Sequence, residues 1–112
     1  MSIFERIINR EIPATIVYET ERVIGFRDVQ PQAPIHVLFI PKRVIPTLND
    51  CRADDAQLLG ELFLAAAQYA KAEGFADAGY RCVVNCNGDG GQSVFHLHVH
   101  LLAGRSLQWP PG

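Results

Sequence analysis

Apolar residues at Ile3, Phe4, Ile7 and Ile8 share one face of a helical turn, which predicts a short helix over Ile3–Asn9 that Pro13 ends. Ile16–Tyr18 and Val23–Phe26 are β-branched and aromatic runs on either side of the polar stretch Glu19–Arg22, the pattern of two strands joined by a hairpin. Gln30–Pro34 contains two prolines, which lack an amide donor and restrict the residue before them, so a loop follows. His36–Ile40, closed by Pro41, reads as a third strand. Leu58, Leu59, Leu62, Phe63, Ala66, Tyr69 and Ala70 then repeat at three- and four-residue spacing, which makes a broad core-facing stripe on one long helix. Asp54 and Asp55 suit its positive N-terminus and Gly74 its left-handed C-terminal cap. Tyr80–Cys86 and Val94–Leu102 supply two more strands around the polar stretch Asn87–Gln92. The predicted fold class is α+β: an antiparallel sheet of about five strands with one long helix and a short N-terminal helix, in a single domain, 1–112.

Composition changes this picture little. With 48% apolar and 20% charged residues in 112, the chain can bury a core and is not disordered. Ten Lys and Arg against 12 Asp and Glu leave a net charge of −2, which argues against a nucleic-acid polymer as partner. No apolar run reaches the ~18 residues of a membrane span, and Met1–Arg6 has no secretory pattern, so a cytoplasmic protein without membrane contact is expected. Cys51, Cys82 and Cys86 form no disulfide-like framework. Were Tyr80–Cys86 one strand, Cys82 and Cys86 would lie about 13 Å apart, poor for sharing a zinc ion. Buried apolar roles suit all three cysteines better.

The histidines change it most. Three of the four fall in His96-Leu97-His98-Val99-His100-Leu101-Leu102. On a strand, His96, His98 and His100 share one face and Leu97, Val99 and Leu101 face the core. A strand gains nothing from three imidazoles, so the cluster reads as functional. Metal binding is one chemistry, but His96 and His100 would stand about 13 Å apart along a regular strand, too far for relaxed ligation of one ion. Nucleophilic catalysis is the better fit, because a neutral imidazole attacks at neutral pH while its neighbours set its tautomer. Just upstream, Gly88-Asp89-Gly90-Gly91-Gln92-Ser93 holds three glycines and a hydroxyl. Such a run is usually only a turn; beside three histidines it suggests amides gathered around a phosphate.

These residues, taken together, resemble the histidine-triad (HIT) superfamily of nucleotide hydrolases and transferases. Ile3-Phe4-Glu5-Arg6-Ile7-Ile8, Asp28 through His36, Ile40-Pro41-Lys42, Gly90-Gly91-Gln92-Ser93-Val94 and Trp109-Pro110-Pro111-Gly112 extend the likeness to its Hint branch, the histidine triad nucleotide-binding proteins that act as purine nucleoside phosphoramidases. The resemblance implies that His98 attacks the α-phosphorus of an AMP-type substrate and carries a covalent nucleotidyl group. It implies that His36 orients or polarises His98, that His96 holds the local geometry, and that His100 binds a phosphate oxygen. Ser93 and Asn85 match positions near the phosphate and leaving group, within a nucleotide-binding set that takes in Gly91, Gln92 and Val94. Asp28 matches the ribose-binding carboxylate, and Ile3, Phe4, Ile7, Phe26, Val29 and Leu38 match the apolar purine pocket. Trp109 matches a tail that packs across a homodimer and shapes the neighbouring site. No cofactor and no metal is implied.

Three positions depart from the branch: Cys86 where Glu is common, Gly88 where a small hydroxyl residue is frequent, and Val44 where a histidine is frequent. None removes a proposed catalytic group. The other readings are a dinucleoside polyphosphate hydrolase of another HIT branch, a nucleotide-binding scaffold with vestigial activity, and a zinc-binding protein.

Overall fold

Helix α1 (Ile3–Ile8) starts where the sequence provides a reciprocal cap: the Ser2 hydroxyl accepts from the Glu5 amide at 3.2 Å and the Glu5 carboxylate accepts from the Ser2 amide at 3.0 Å. The computed structural model, which describes residues 1–112, ends this helix well before Pro13. Asn9 caps it and Arg10 turns left-handed at φ 62°, so a local backbone reversal stops the helix rather than the proline. Strands β1 (Ile16–Glu19), β2 (Val23–Arg27) and β3 (Ile35–Pro41) follow as the hydrophobic pattern predicts. Helix α2 spans Ala56–Glu73 and closes on Gly74 at φ 84°.

The last two strands are shorter than the sequence suggests. β4 covers Tyr80–Val83 and β5 covers Val99–Ala103, with a single helical turn, α3 (Asn87–Gly90), between them. Residues 94–98 are not strand: the Leu97 amide donates instead to the Ile45 carbonyl at 2.7 Å, in the segment after β3, which draws this stretch away from the ladder. All pairings are antiparallel in the order β1-β2-β3-β5-β4.

The sheet has two covered faces. Val37, Phe39, Leu97, Val99 and Leu101 meet Leu58, Leu62, Ala65, Ala66 and Tyr69 of α2 on one side. Gly25 belongs to this arrangement, because a Cβ there would stand 2.8 Å from the Phe39 ring. On the other side α1 lays Phe4 and Ile7 over Ile24, Phe26, Leu38 and Ile40. Covering both faces explains why β2 and β3 read as continuous apolar runs rather than alternating ones.

One expectation for α2 needs correction. The stripe is not wholly core-facing: Phe63 is 45% exposed and its neighbour Leu64 61%, while Leu58, Leu62 and Ala66 are buried. A face wider than one sheet can cover leaves an apolar flank outside. The cysteines are half-buried rather than fully inside; Cys51 and Cys82 pack against the core, where loss of hydration pushes both thiols up.

Candidate active site

Antiparallel register brings the histidines together. Leu38 stands opposite His100 and His36 opposite Leu102, so His36 and His100 are diagonal neighbours on the face under α1. Their rings meet with Nε2 of His36 2.9 Å from Nδ1 of His100. His98, just before β5, packs its ring edge-on against Phe4, centroids 5.1 Å apart, and lies 4.8 Å from the His100 ring. The shared face expected for His98 and His100 therefore holds, although His98 reaches it from outside the strand. His96 is different. It has no exposed surface and sits behind the pocket, its ring 6.0 Å from that of Phe4.

Main-chain groups decide where each imidazole carries its proton. The His36 Nδ1 accepts from the Gln32 amide at 3.0 Å, so in the neutral ring Nε2 holds the hydrogen. That hydrogen points at Nδ1 of His100, which must then accept, and the His100 proton lies on its Nε2. The His98 Nδ1 lies 2.7 Å from the carbonyl of His96; a carbonyl only accepts, so Nδ1 is the N–H and Nε2 keeps its lone pair. His96 likewise donates from Nε2 to the Pro41 carbonyl at 2.7 Å, leaving Nδ1 buried without a partner.

Burial also keeps these rings neutral. Loss of hydration lowers His36, although Asp28 opposes the effect, and it lowers His96 and His98 below the ordinary histidine value. His100 falls furthest, to about 4, through burial first and then its proximity to His98 and His36. An unprotonated Nε2 on a pocket-lining His98 is a nucleophile available at neutral pH.

A cavity of about 370 Å³ opens in front of these rings. Its walls combine the apolar Phe4, Ile7, Phe26 and Leu38 with His36, His98, His100 and Ser93. Ile3 and Val94 also line it, as does Val29, which is 90% exposed and forms the rim. Asp28 stands at the boundary, with Oδ1 accepting from the Gln30 amide at 2.8 Å and Oδ2 3.5 Å from Nε2 of His36. Asn85, Gly91, Gln92, His96 and Trp109 do not line the cavity. Ile12, Pro13 and Ala14 do, and nothing in their sequence context marks them as pocket residues.

The glycine run takes an unexpected form. Residues 87–90 make the helical turn α3, and the amides of Gly91 and Gln92 are spent on the carbonyls of Gly88 and Asn87, at 3.0 and 3.1 Å. The unspent amides lie one step further on, at Ser93 and Val94. Asp28, His36 and His100 present ligand atoms within 4.8 Å of one another, so these three, rather than the triad itself, are the set able to hold a metal ion.

Residues 9–107 match the HIT domain family. The chain belongs to this family. It is 52% identical to the purine nucleoside phosphoramidase of Escherichia coli K12, over 95% of this chain and 89% of that protein. It is 50% identical to a 14 kDa zinc-binding protein of Zea mays, over 99% of this chain and 88% of the relative. The crystal structure of a HIT family hydrolase from Legionella pneumophila Philadelphia 1 superposes with a TM-score of 0.97 at 49% identity, covering 100% of both chains. This HIT protein thus shares its fold with the Legionella hydrolase over the whole chain.

Proposed function

We propose that this HIT-family hydrolase is a purine nucleoside phosphoramidase that cleaves the P–N bond of AMP-linked amines. The observation that carries the reading is the free Nε2 of His98, which lines a nucleotide-sized cavity: burial keeps the ring neutral, and the bond from its Nδ1 to the His96 carbonyl leaves the lone pair on Nε2. The apolar side chains of the cavity wall suit a purine, and the two oxygens of Asp28 suit the paired ribose hydroxyls. On this reading the α-phosphate lies before His98, His100 and Ser93.

The Nε2 lone pair attacks phosphorus, so a P–N bond to His98 forms as the P–N bond to the amine breaks. The ring becomes cationic, and the His96 carbonyl, already accepting from Nδ1, stabilises that charge without moving. The departing amine takes up a proton from solvent as it leaves, while the neutral Nε2–H of His100 and the Ser93 hydroxyl donate hydrogen bonds to the phosphoryl oxygens. Water then attacks the nucleotidyl phosphorus and gives up a proton to solvent, balancing the one the amine took; the bond to His98 breaks, releasing AMP and restoring the His98 lone pair.

Trapping tests this directly. Rapid quenching during turnover of an adenosine phosphoramidate should give a protein heavier by one AMP moiety, localised by mass spectrometry to His98. Label on another residue, or faster turnover of a diadenosine polyphosphate, overturns the assignment.

A homodimer is part of the reading. Trp109 is 81% exposed and outside its own chain's cavity, β4 is an edge strand, and Phe63 and Leu64 lie uncovered on α2. Sedimentation as a monomer at micromolar concentration would contradict it. No helix is long and apolar enough to cross a membrane, and the three free thiols fit a reducing cytoplasm.

Zinc binding is a second reading, favoured by the Asp28–His36–His100 cluster and by the similarity to the zinc-binding protein of maize. Such an ion would take the nitrogens that now share a proton between His36 and His100, and so would compete with the hydrolytic arrangement. Elemental analysis of protein purified without added metal, with turnover measured in chelator, separates the two.

A further inference from the structure

The turn that carries Ser93 is held by one side chain. Gln92 is buried, and its carboxamide makes three bonds: Oε1 accepts from the Asn87 amide at 2.9 Å, and Nε2 donates to the carbonyls of Pro46 at 2.8 Å and Val94 at 3.0 Å. These bonds join the start of α3, the segment after β3 and the residue following Ser93. A carboxamide on this length of side chain supplies both the acceptor and the two donors. Glutamate can accept from Asn87 but cannot donate to two carbonyls, and asparagine is one methylene too short.

The anchor is itself fixed. The Leu97 amide bonds to the Ile45 carbonyl at 2.7 Å, and Arg43 pairs with Asp55 at the start of α2. Because the Gln92 amide N–H is already bonded to the Asn87 carbonyl, none of its donors remains for a ligand. What the arrangement leaves free stands next to it. The amides of Ser93 and Val94 donate to no protein group, and both residues line the cavity.

We propose that Gln92 is a positioning residue for the phosphate end of the cavity: its carboxamide fastens the 87–94 turn to Ile45–Pro46 and so aims the Ser93 hydroxyl and the Ser93 and Val94 amides at a bound phosphate. Its side chain touches no substrate. The proposal rests on the nucleotide reading above.

Binding of AMP and of adenosine, together with turnover of an adenosine phosphoramidate, tests it in Gln92→Met, Gln92→Glu, Ser93→Ala and the Gln92→Met/Ser93→Ala double variant. Gln92→Met should lower kcat roughly ten- to a hundredfold, as a misplacement near 1 Å does, and weaken AMP while leaving adenosine affinity within about twofold. In the double variant the combined loss should fall short of the product of the single losses, because Gln92 acts through its neighbour. Should Gln92→Met fail to fold, Gln92→Glu, which keeps the acceptor but loses both donors, should show the same split between AMP and adenosine. Adenosine affinity falling in step with AMP would mean general damage to the fold, and multiplying losses would mean independent action. Either result overturns the proposal, as does wild-type behaviour of both Gln92 variants. Wild-type protein that neither binds AMP nor cleaves the phosphoramidate takes down the nucleotide reading and this one together.

Discussion

The two faces of the sheet are both buried, yet they do different things with burial. Beneath α2, Val37, Phe39, Val99 and Leu101 meet Leu62, Ala66 and Tyr69 in an apolar layer whose worth is the water it excludes. Beneath α1, the same strands present His36 and His100 among Phe4, Phe26 and Leu38, and there burial acts on chemistry. It strips hydration from the imidazoles, lowers their proton affinity and leaves their tautomers to main-chain partners. The α2 face uses desolvation for stability; the α1 face gives up some stability to keep neutral the imidazole proposed as the nucleophile.

The largest test of that contrast is removal of the proposed nucleophile. His98→Ala should cut turnover of an adenosine phosphoramidate by roughly a thousandfold or more, since the covalent route disappears, while AMP binding stays largely intact. Near-normal turnover would show that the α1 face is not catalytic through His98. The matching change on the other face is Leu62→Ala. Leu62 is fully buried against the sheet, so its truncation should cost about 2–5 kcal/mol of stability in denaturant titration. Turnover per folded molecule should be unchanged. A loss of kcat without a loss of stability would erase the distinction between the faces.

Acid should act on the histidine face first. A histidine whose folded-state proton affinity is lowered binds fewer protons folded than unfolded, so folding weakens as pH falls below the ordinary value of 6.5. For His100 the loss grows down to about pH 4 and amounts to about 3 kcal/mol for that shift, with His36, His96 and His98 adding in the same direction. Glu19, which Lys42 and Arg10 hold below its ordinary 4.5, and Asp55, which the Arg52 amide and then Arg43 hold below its ordinary 3.8, lose their contribution only at lower pH. Melting temperature should therefore decline between pH 6.5 and 4.5, and replacing His100 with Asn should flatten that decline. An unchanged slope in the variant would remove His100 from the account.

The smallest effect should come from the ribose end. Asp28→Asn should raise KM for the phosphoramidate about tenfold, the worth of a hydrogen bond to a charged group, with a smaller change in kcat. A 2′-deoxyribose substrate should show less of that penalty, and an equal penalty on both substrates would place Asp28 elsewhere in the mechanism.

Much of this was legible in the chain. The apolar periodicities predicted α1, α2 and the first three strands, and the alternation predicted that Leu97, Val99 and Leu101 meet the α2 core, although His96 does not share the open face of His98 and His100. The ends of β4 and β5 were not legible, because the bond from Leu97 to Ile45 joins residues far apart in sequence. Phe63 looked like core for the same reason: spacing gives the width of an apolar face but not how much of it a sheet can cover. In the site, local pattern singled out the histidines, whereas the Gln32 amide that sets the His36 tautomer carries no side-chain signature at all.

By itself the sequence determined the residue types that do chemistry and the period at which they recur. Side-chain identity and alternation are local properties, written residue by residue. Only the tertiary structure decided that His36 donates to His100, that His98 keeps its lone pair on Nε2, and that the Gln92 amide is spent inside the protein. A proton's position on an imidazole depends on which acceptor or donor stands within 3 Å. Those partners are carbonyls and amides, which nearly every residue carries, so their placement follows from strand register and loop path rather than from any letter of the chain.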